Sequence, residues 1–239
     1  MKIGGHQSLP RSLGRARRLQ LNGTPEEYLA FTRGAVARFP TDPDVRLHHA
    51  IALAMLQPER ARTEALRAVE LDHEGNPFRL YRAGNLLLGA GDLAAARRCA
   101  ERAVAAAPTN RVLVNLLTHL QGRIASVAGE DDIAEPLLRS AYEAEPRNGR
   151  NVLDLARFLL ARERIDETLE LLDCASTLEG PRKAREHYAQ EFAGLRERIG
   201  RFQKLQLQIS RVQARHSLGP ARVSSSTPTR AARGANSPA

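Results

Sequence analysis

The sequence predicts an all-α fold: a right-handed α-solenoid of about five helix hairpins, closed by one long helix. Three observations predict it. Ala, Leu, Arg and Glu dominate the 239 residues, Trp is absent and aromatics make up only 4%, a mixture that favours helices over strands. Apolar residues recur at helical spacing on both sides of short breaks. Four segments also end alike, at Arg38-Phe39-Pro40, Val69-Glu70-Leu71-Asp72-His73, Ala105-Ala106-Ala107-Pro108 and Tyr142-Glu143-Ala144-Glu145-Pro146, and a fifth ends near Gly180. The steps between them are 33, 35, 38 and 34 residues, which bracket the roughly 34 residues of a helix pair with two short turns. A non-repetitive helical bundle is the competing reading of the same composition.

In the first repeat, Ala16, Leu19 and Gly23 precede Tyr28, Ala35, Val36 and Pro40. In the second, Val45, Ala50 and Leu53 precede Ala61, Ala65, Ala68 and Val69, with Pro58 opening the second helix and an internal turn one residue short. The third repeat is the clearest. Leu80, Ala83, Gly84 and Leu87 form one stripe, Gly91-Asp92 breaks the helix, and Leu93, Ala96, Ala100, Ala103 and Val104 form a second stripe before Pro108. In the fourth, residues 109–128 make a first helix about one turn too long before Gly129, after which Ala141 and Pro146 fall in place. The fifth carries Val152, Leu155, Ala156 and Leu159, then Ile165, Leu169, Leu172 and Ala175.

The third repeat resembles the tetratricopeptide pattern: a small residue in mid first helix (Gly84), a turn Gly (Gly91), three spaced alanines (Ala96, Ala100, Ala103) and a closing Pro108. Helix axes at about 8–10 Å need small residues where they pass nearest, and Pro ends a helix cleanly. The resemblance covers roughly residues 8–180, without the family's signature Trp. It implies that the first helix of each pair lines a concave surface that grips a peptide or partner helix. First-helix residues off the packing stripe are then the candidate contacts: Arg17, Gln20, Arg46, Phe78, Tyr81, Asn85, Asn110, Leu117, Arg150, Leu153 and Arg157. Arginine takes carboxylates bidentately and aromatic rings make stiff apolar anchors, so the expected occupant combines acidic and apolar residues. Asn85 matches the Asn of the family's Lys–Asn carboxylate clamp, but Tyr81 stands one turn earlier, where the Lys would be.

From Pro181 a helical pattern runs to about His216. Tyr188, Phe192, Leu195, Ile199 and Phe202 are spaced 4, 3, 4 and 3, and Leu205, Ile209 and Val212 continue the seam after one irregular step. The expected organisation is a solenoid over residues 1–180, a basic capping or coiled-coil-like helix over 181–216, and a disordered tail over 217–239, rich in Ser, Thr, Pro, Gly and Arg. The distal half of that helix, with Lys204, Arg211 and Arg215, could pair with another chain, making a dimer one expectation.

The net charge of +9 is terminal. Residues 182–239 hold twelve Lys/Arg against three Glu, and residues 1–22 hold five basic residues (Lys2, Arg11, Arg15, Arg17, Arg18) and no acid. Residues 23–181 carry nineteen basic and twenty-four acidic residues, so the predicted body is mildly acidic. Nucleic-acid binding through the basic ends is therefore the alternative function, although aromatics are not interleaved there and no sequence-reading motif occurs.

No apolar run approaches the ~20 residues of a membrane span, and no signal-peptide core follows the basic N-terminus. Two cysteines, Cys99 and Cys174, suit a reducing compartment and packing roles, which places the chain in the cytoplasm. Its Ala/Arg-rich usage fits a GC-rich bacterial source. Phosphate loops, GxSxG, HExxH and CxxC are all absent, so neither enzyme activity nor a cofactor is expected. Adjacent His48 and His49 point about 100° apart on a helix and cannot chelate one metal ion together; the expectation is one ring inside and one in solvent. Glu130, Asp131 and Asp132 stand at a helix start, where acids favour the helix dipole. The function expected is a non-catalytic protein-interaction scaffold, with a chaperone-like assembly or regulatory subunit as a further form of it.

Overall fold

The computed structural model of the protein describes residues 8–107, 109–174, 178–180 and 182–217. Eleven helices occupy them. The first hairpin is α1 (Leu9–Asn22) with α2 (Pro25–Arg38), the second α3 (Pro43–Leu56) with α4 (Pro58–Leu71), and the third α5 (Pro77–Gly89) with α6 (Leu93–Ala106). The fourth is α7 (Arg111–Ala128) with α8 (Asp131–Ala144), the fifth α9 (Gly149–Leu160) with α10 (Ile165–Cys174), and α11 (Arg182–Ser217) follows. Of the expected tail over 217–239, Ser217 is the last residue of α11 and residues 218–239 lie outside the described residues.

Local chemistry sets these boundaries. Side-chain oxygens of Thr24, Asp42, Asn76, Asp92, Asn110 and Asn148 accept from backbone N–H groups in the first turns of their helices, each cap adding about 1 kcal/mol. Pro stands in the first turn of α1 to α5, where its missing N–H has no intrahelical partner to lose. Gly129, at φ 76°, ends α7 in the left-handed conformation, which a Cβ would disfavour. The short internal turn of the second repeat is Gln57 alone, cap to both α3 and α4.

Each hairpin closes on small residues. A Cβ added at Gly84 would sit 3.0 Å from Leu120 Cδ2 and 3.4 Å from Cys99 Cβ, and Ala95, Ala96, Cys99, Ala100 and Ala103 are buried on α6. Leu47, Leu80, Leu87, Leu113, Leu117, Leu120 and Ile124 join them in one apolar cluster running from the second repeat to the fourth. A second cluster, Ala16, Tyr28, Leu29, Ala52, Leu53 and Ala61, ties the first repeat to the second.

The helices form two rows. Every odd helix packs on the next odd helix, α1 on α3 and so on to α9, whereas no even helix packs comparably on the next even one. The odd helices therefore lie along the inner, tighter curve of the stack. On the even row, exposed ion pairs join neighbouring repeats: Arg62–Asp92 at 2.7 Å, Arg97–Glu130 at 2.8 Å and Arg164–Glu135 at 2.6 Å. Such surface pairs contribute up to about 1 kcal/mol each.

The compact body runs to Phe192. Its last turns, the start of α11, place the Tyr188 ring directly on Gly149, where no Cβ would fit, and pair Glu191 with Arg157 at 2.7 Å. The residues from Ala193 form a separate compact unit. In it Leu195 and Ile199 are buried, while Leu205, Leu207 and Ile209 are each more than half exposed.

One expectation changes here. His48 and His49 are both buried, at 2% and 8% exposure. The reason is α2: Tyr28 Oη lies 2.7 Å from His48 Nδ1, and Thr32 Oγ1 lies 3.1 Å from His49 Nδ1. Tyr28 and Thr32, one turn apart on α2, thus supply a partner to each ring, and neither needs solvent.

Candidate partner-binding groove

The inner face is built from successive odd helices. Arg17 and Gln20 are exposed on α1, and Phe78, 44% exposed, stands in the first turn of α5 with half-buried Tyr81 and Asn85 on the following turns. Arg150 and Arg157 are exposed on α9. Lys204 and Arg211 are exposed on α11, and the side chain of Arg215 lies outside those described.

Four expected groove residues are placed otherwise. Arg46 turns to its own hairpin: Nη1 pairs with Glu64 Oε2 on α4 at 2.8 Å and Nε donates to the Pro40 carbonyl. Asn110 is the N-cap of α7, accepting from the Leu113 N–H. Leu117 and Leu153 are 1% and 5% exposed and belong to the packed interior. For Asn110 and Leu117 the cause is register. Gly122 meets Leu137 and Leu138 of α8 at 3.0–3.1 Å from its would-be Cβ, as Gly84 meets Cys99 and Ala96 of α6. With Gly122 matched to Gly84, the residues of α7 equivalent to Tyr81 and Asn85 are His119 and Arg123.

Those two residues hold a polar network that links three repeats. Arg123 Nη1 donates to Asn85 Oδ1 at 2.8 Å, and Asn85 Nδ2 donates to the Tyr81 carbonyl at 3.0 Å. Arg123 Nε lies 3.2 Å from Asp154 Oδ2 on α9, and buried His119 Nε2 lies 2.9 Å from the same oxygen, off the alignment of a good hydrogen bond. Burial alone would raise the Asp154 pKa; the His119 contact and the charges of Arg123 and Arg150 outweigh it and hold the carboxyl below its ordinary value. The Arg150 pKa is raised despite desolvation, because the Tyr81 and Tyr188 phenols and Asp154 surround the guanidinium.

The other end of the face is built differently. Arg79 Nε and Nη1 engage Asp44 at 3.1 Å and buried Asp72 at 2.8 Å. Arg82, one turn on, sits among Tyr28, Asp44 and Arg17. The His48 pKa is lowered to about 4, chiefly by desolvation and then by the positive charges of Arg82 and Arg17, against a smaller opposing effect of Asp44. Sequence reasoning missed Arg82, His119, Arg123 and Asp154. Gly122, the equivalent of Gly84, was the signal that could have found the α7 pair. Among the described residues, no group of three or more His, Cys, Asp or Glu is placed to hold a metal ion, and no helix is long and apolar enough to cross a membrane.

Paired helices in a double row, small residues at the crossings and Pro/Gly punctuation define a helical repeat fold of the tetratricopeptide type. No sequence-family model matches the chain, and no characterised protein matches it by sequence. Solved structures match it in fold. A tetratricopeptide repeat protein from Parabacteroides merdae aligns at TM-score 0.64 and 12% identity over 89% of this chain and 79% of that one. A thermophilic tetratricopeptide repeat protein of Thermus thermophilus aligns at 0.60 and 21% identity over 77% and 98%. PilW, a type IV pilus biogenesis factor, aligns at 0.60 and 16% identity over 83% and 91%. The likeness is one of fold.

Proposed function

We propose that the protein is a non-catalytic interaction scaffold whose inner face holds a segment of another protein, as an assembly or adaptor subunit of a larger complex. The observation that carries this reading is the inner row itself: Phe78 is 44% exposed in the first turn of α5, at helical spacing from half-buried Tyr81 and Asn85, while α1 and α9 carry exposed Arg17, Arg150 and Arg157. A large exposed ring on a row that also carries exposed arginines is the composition of an interface core rather than of a solvated surface. In the same reading residues 1–180 form the repeat body and the start of α11 caps it, with Tyr188 seated on Gly149.

A photo-crosslinking aromatic amino acid placed at Phe78, and in parallel at Arg67 on α4, tests the groove in the cell of origin. The expected result is one or a few discrete adducts from position 78 and none from position 67. Equal adducts from both sites, or none from 78, reject the groove.

A further inference from the structure

The second half of α11 carries large apolar side chains that nothing among the described residues covers. Residues 201–211 are all exposed, with Phe202 at 37%, Leu205 at 57% and Ile209 at 55%. These three are spaced 3 and 4, so at about 100° per residue they fall within about 60° of one another on one face. Leu207, 60% exposed, stands two residues from Leu205 and projects from the opposite side. A stripe this narrow is the seam of a helix pair, narrower than the apolar face of a helix that lies on a core or in a membrane surface.

The charges beside the seam have one sign. Glu197, which pairs with Arg201, is the last acidic residue in the sequence, and residues 198–239 hold eight Lys/Arg. Arg201, Lys204 and Arg211 follow one another along one edge of the stripe, while Gln206, Ser210 and Gln213 line the other. Lys204 and Arg211 are exposed and make no ion pair or hydrogen bond among the described residues. Charges flanking a seam decide which helix can lie against it. A second copy of this stretch brings the same cations and, with Glu197 engaged by Arg201, no free carboxylate to offset them.

We propose that α11 from Phe202 onward is a second interaction surface, and that its occupant is an amphipathic helix of another protein with acidic residues beside its apolar seam. Phe202, Leu205 and Ile209 pack against that seam, and Val212 continues the pattern in the sequence. Lys204 and Arg211 meet the partner's carboxylates, so charge complementarity selects the partner while apolar burial holds it. A nucleic acid would use the cations but leave the apolar stripe in water. This surface is separate from the inner groove and does not depend on it.

The test mixes the full chain with a fluorescein-labelled three-heptad peptide, Leu at its seam positions and Glu beside them, and follows anisotropy at low and moderate salt. The wild-type chain should bind, more weakly as salt rises. L205Q/I209Q should weaken binding about tenfold or more, and K204Q/R211Q should remove most of the salt dependence. L207Q, on the opposite side of the helix, should change affinity less than about twofold. All five positions are exposed, so far-UV circular dichroism should stay unchanged and misfolding does not mimic the result. The assignment is overturned if the wild-type chain does not bind, if L205Q/I209Q binds as wild type, or if L207Q loses as much. It is also overturned if a peptide with Lys in place of Glu, or a ten-residue oligo-dT, binds as tightly. A wild-type dimer in light scattering that L205Q/I209Q abolishes would make a second copy the occupant instead. Sedimentation with phosphatidylserine vesicles that L205Q/I209Q abolishes would make it a membrane surface. The groove reading is judged separately, by the adducts from position 78.

Discussion

The third and fourth repeats do the same job with helices of different length. Helix α5 has 13 residues and α7 has 18, yet both cross their partner helix at a glycine, Gly84 against Cys99 and Ala96, Gly122 against Leu137 and Leu138. Most of the extra length of α7 lies before its crossing point, where it adds residues without moving the crossing. The close approach, and not the helix start, therefore decides which side chains reach the inner face. His119 and Arg123 occupy on α7 the places that Tyr81 and Asn85 occupy on α5.

The largest effect should come from the residue that joins the two repeats. Leu120 is fully buried, with Cδ2 against Gly84. Leu120→Ala should cost about 3 kcal/mol, the usual scale for a buried Leu that leaves a cavity, read as a lower denaturant midpoint. A loss under about 1 kcal/mol would mean that the third and fourth repeats are coupled elsewhere.

Buried histidines extend the comparison to pH. His48, 2% exposed, has its pKa depressed to about 4, first by desolvation and then by Arg82 and Arg17. The unfolded chain, with an ordinary His near 6.5, binds the proton more readily. Stability is therefore complete above pH ~6.5 and falls as pH drops toward 4, by about 3 kcal/mol at most. His49, also depressed by desolvation, acts in the same direction. A urea series at pH 7.5, 6 and 5 should show the decline, and His48→Gln should flatten it. A pH-independent wild type would place His48 in solvent.

The crossings themselves can be compared by adding one methyl group. At Gly122 the new Cβ meets Leu138 Cγ at 3.0 Å and Leu137 Cβ at 3.1 Å, atoms close to their backbones; at Gly84 the nearest atom is the movable tip of Leu120. Gly→Ala within a helix gains up to about 1 kcal/mol from propensity, while overpacking costs about 1–3 kcal/mol. Gly122→Ala should thus be destabilising by about 1 kcal/mol and Gly84→Ala close to neutral. The reverse order would show that α7 does not take its register from Gly122.

These differences explain what could be read from the chain. Helices, turns and the five-fold repetition were legible because each is signalled locally, by Pro58 at a helix start, by Gly91 and Gly129 at turns, by Ala96, Ala100 and Ala103 at helical spacing. Exposed Arg17, Gln20 and Phe78 were legible for the same reason. The network of Asn85, Arg123 and Asp154 was not, since it joins residues 38 and 31 apart that face each other only after stacking. One of the two histidines was misread as facing solvent because their partners, Tyr28 and Thr32, belong to the previous repeat. Nor was the place of Arg46 legible, because a long side chain can fold back to its own hairpin, a choice that spacing does not record.

The smallest effect belongs to the C-terminal end of the inner face. Arg157 and Glu191 form a single ion pair at 2.7 Å with side chains 50% and 36% exposed. Water screens such a pair and ordering two long side chains offsets the Coulomb gain, so Arg157→Gln should change stability by about 0.5 kcal/mol or less. Glu191→Gln should change it as little, and the double variant should show almost no coupling. A coupling above about 1 kcal/mol would instead make this pair a principal tie between α9 and the start of α11. The C-terminal end of the inner face would then be held rigid by its charges.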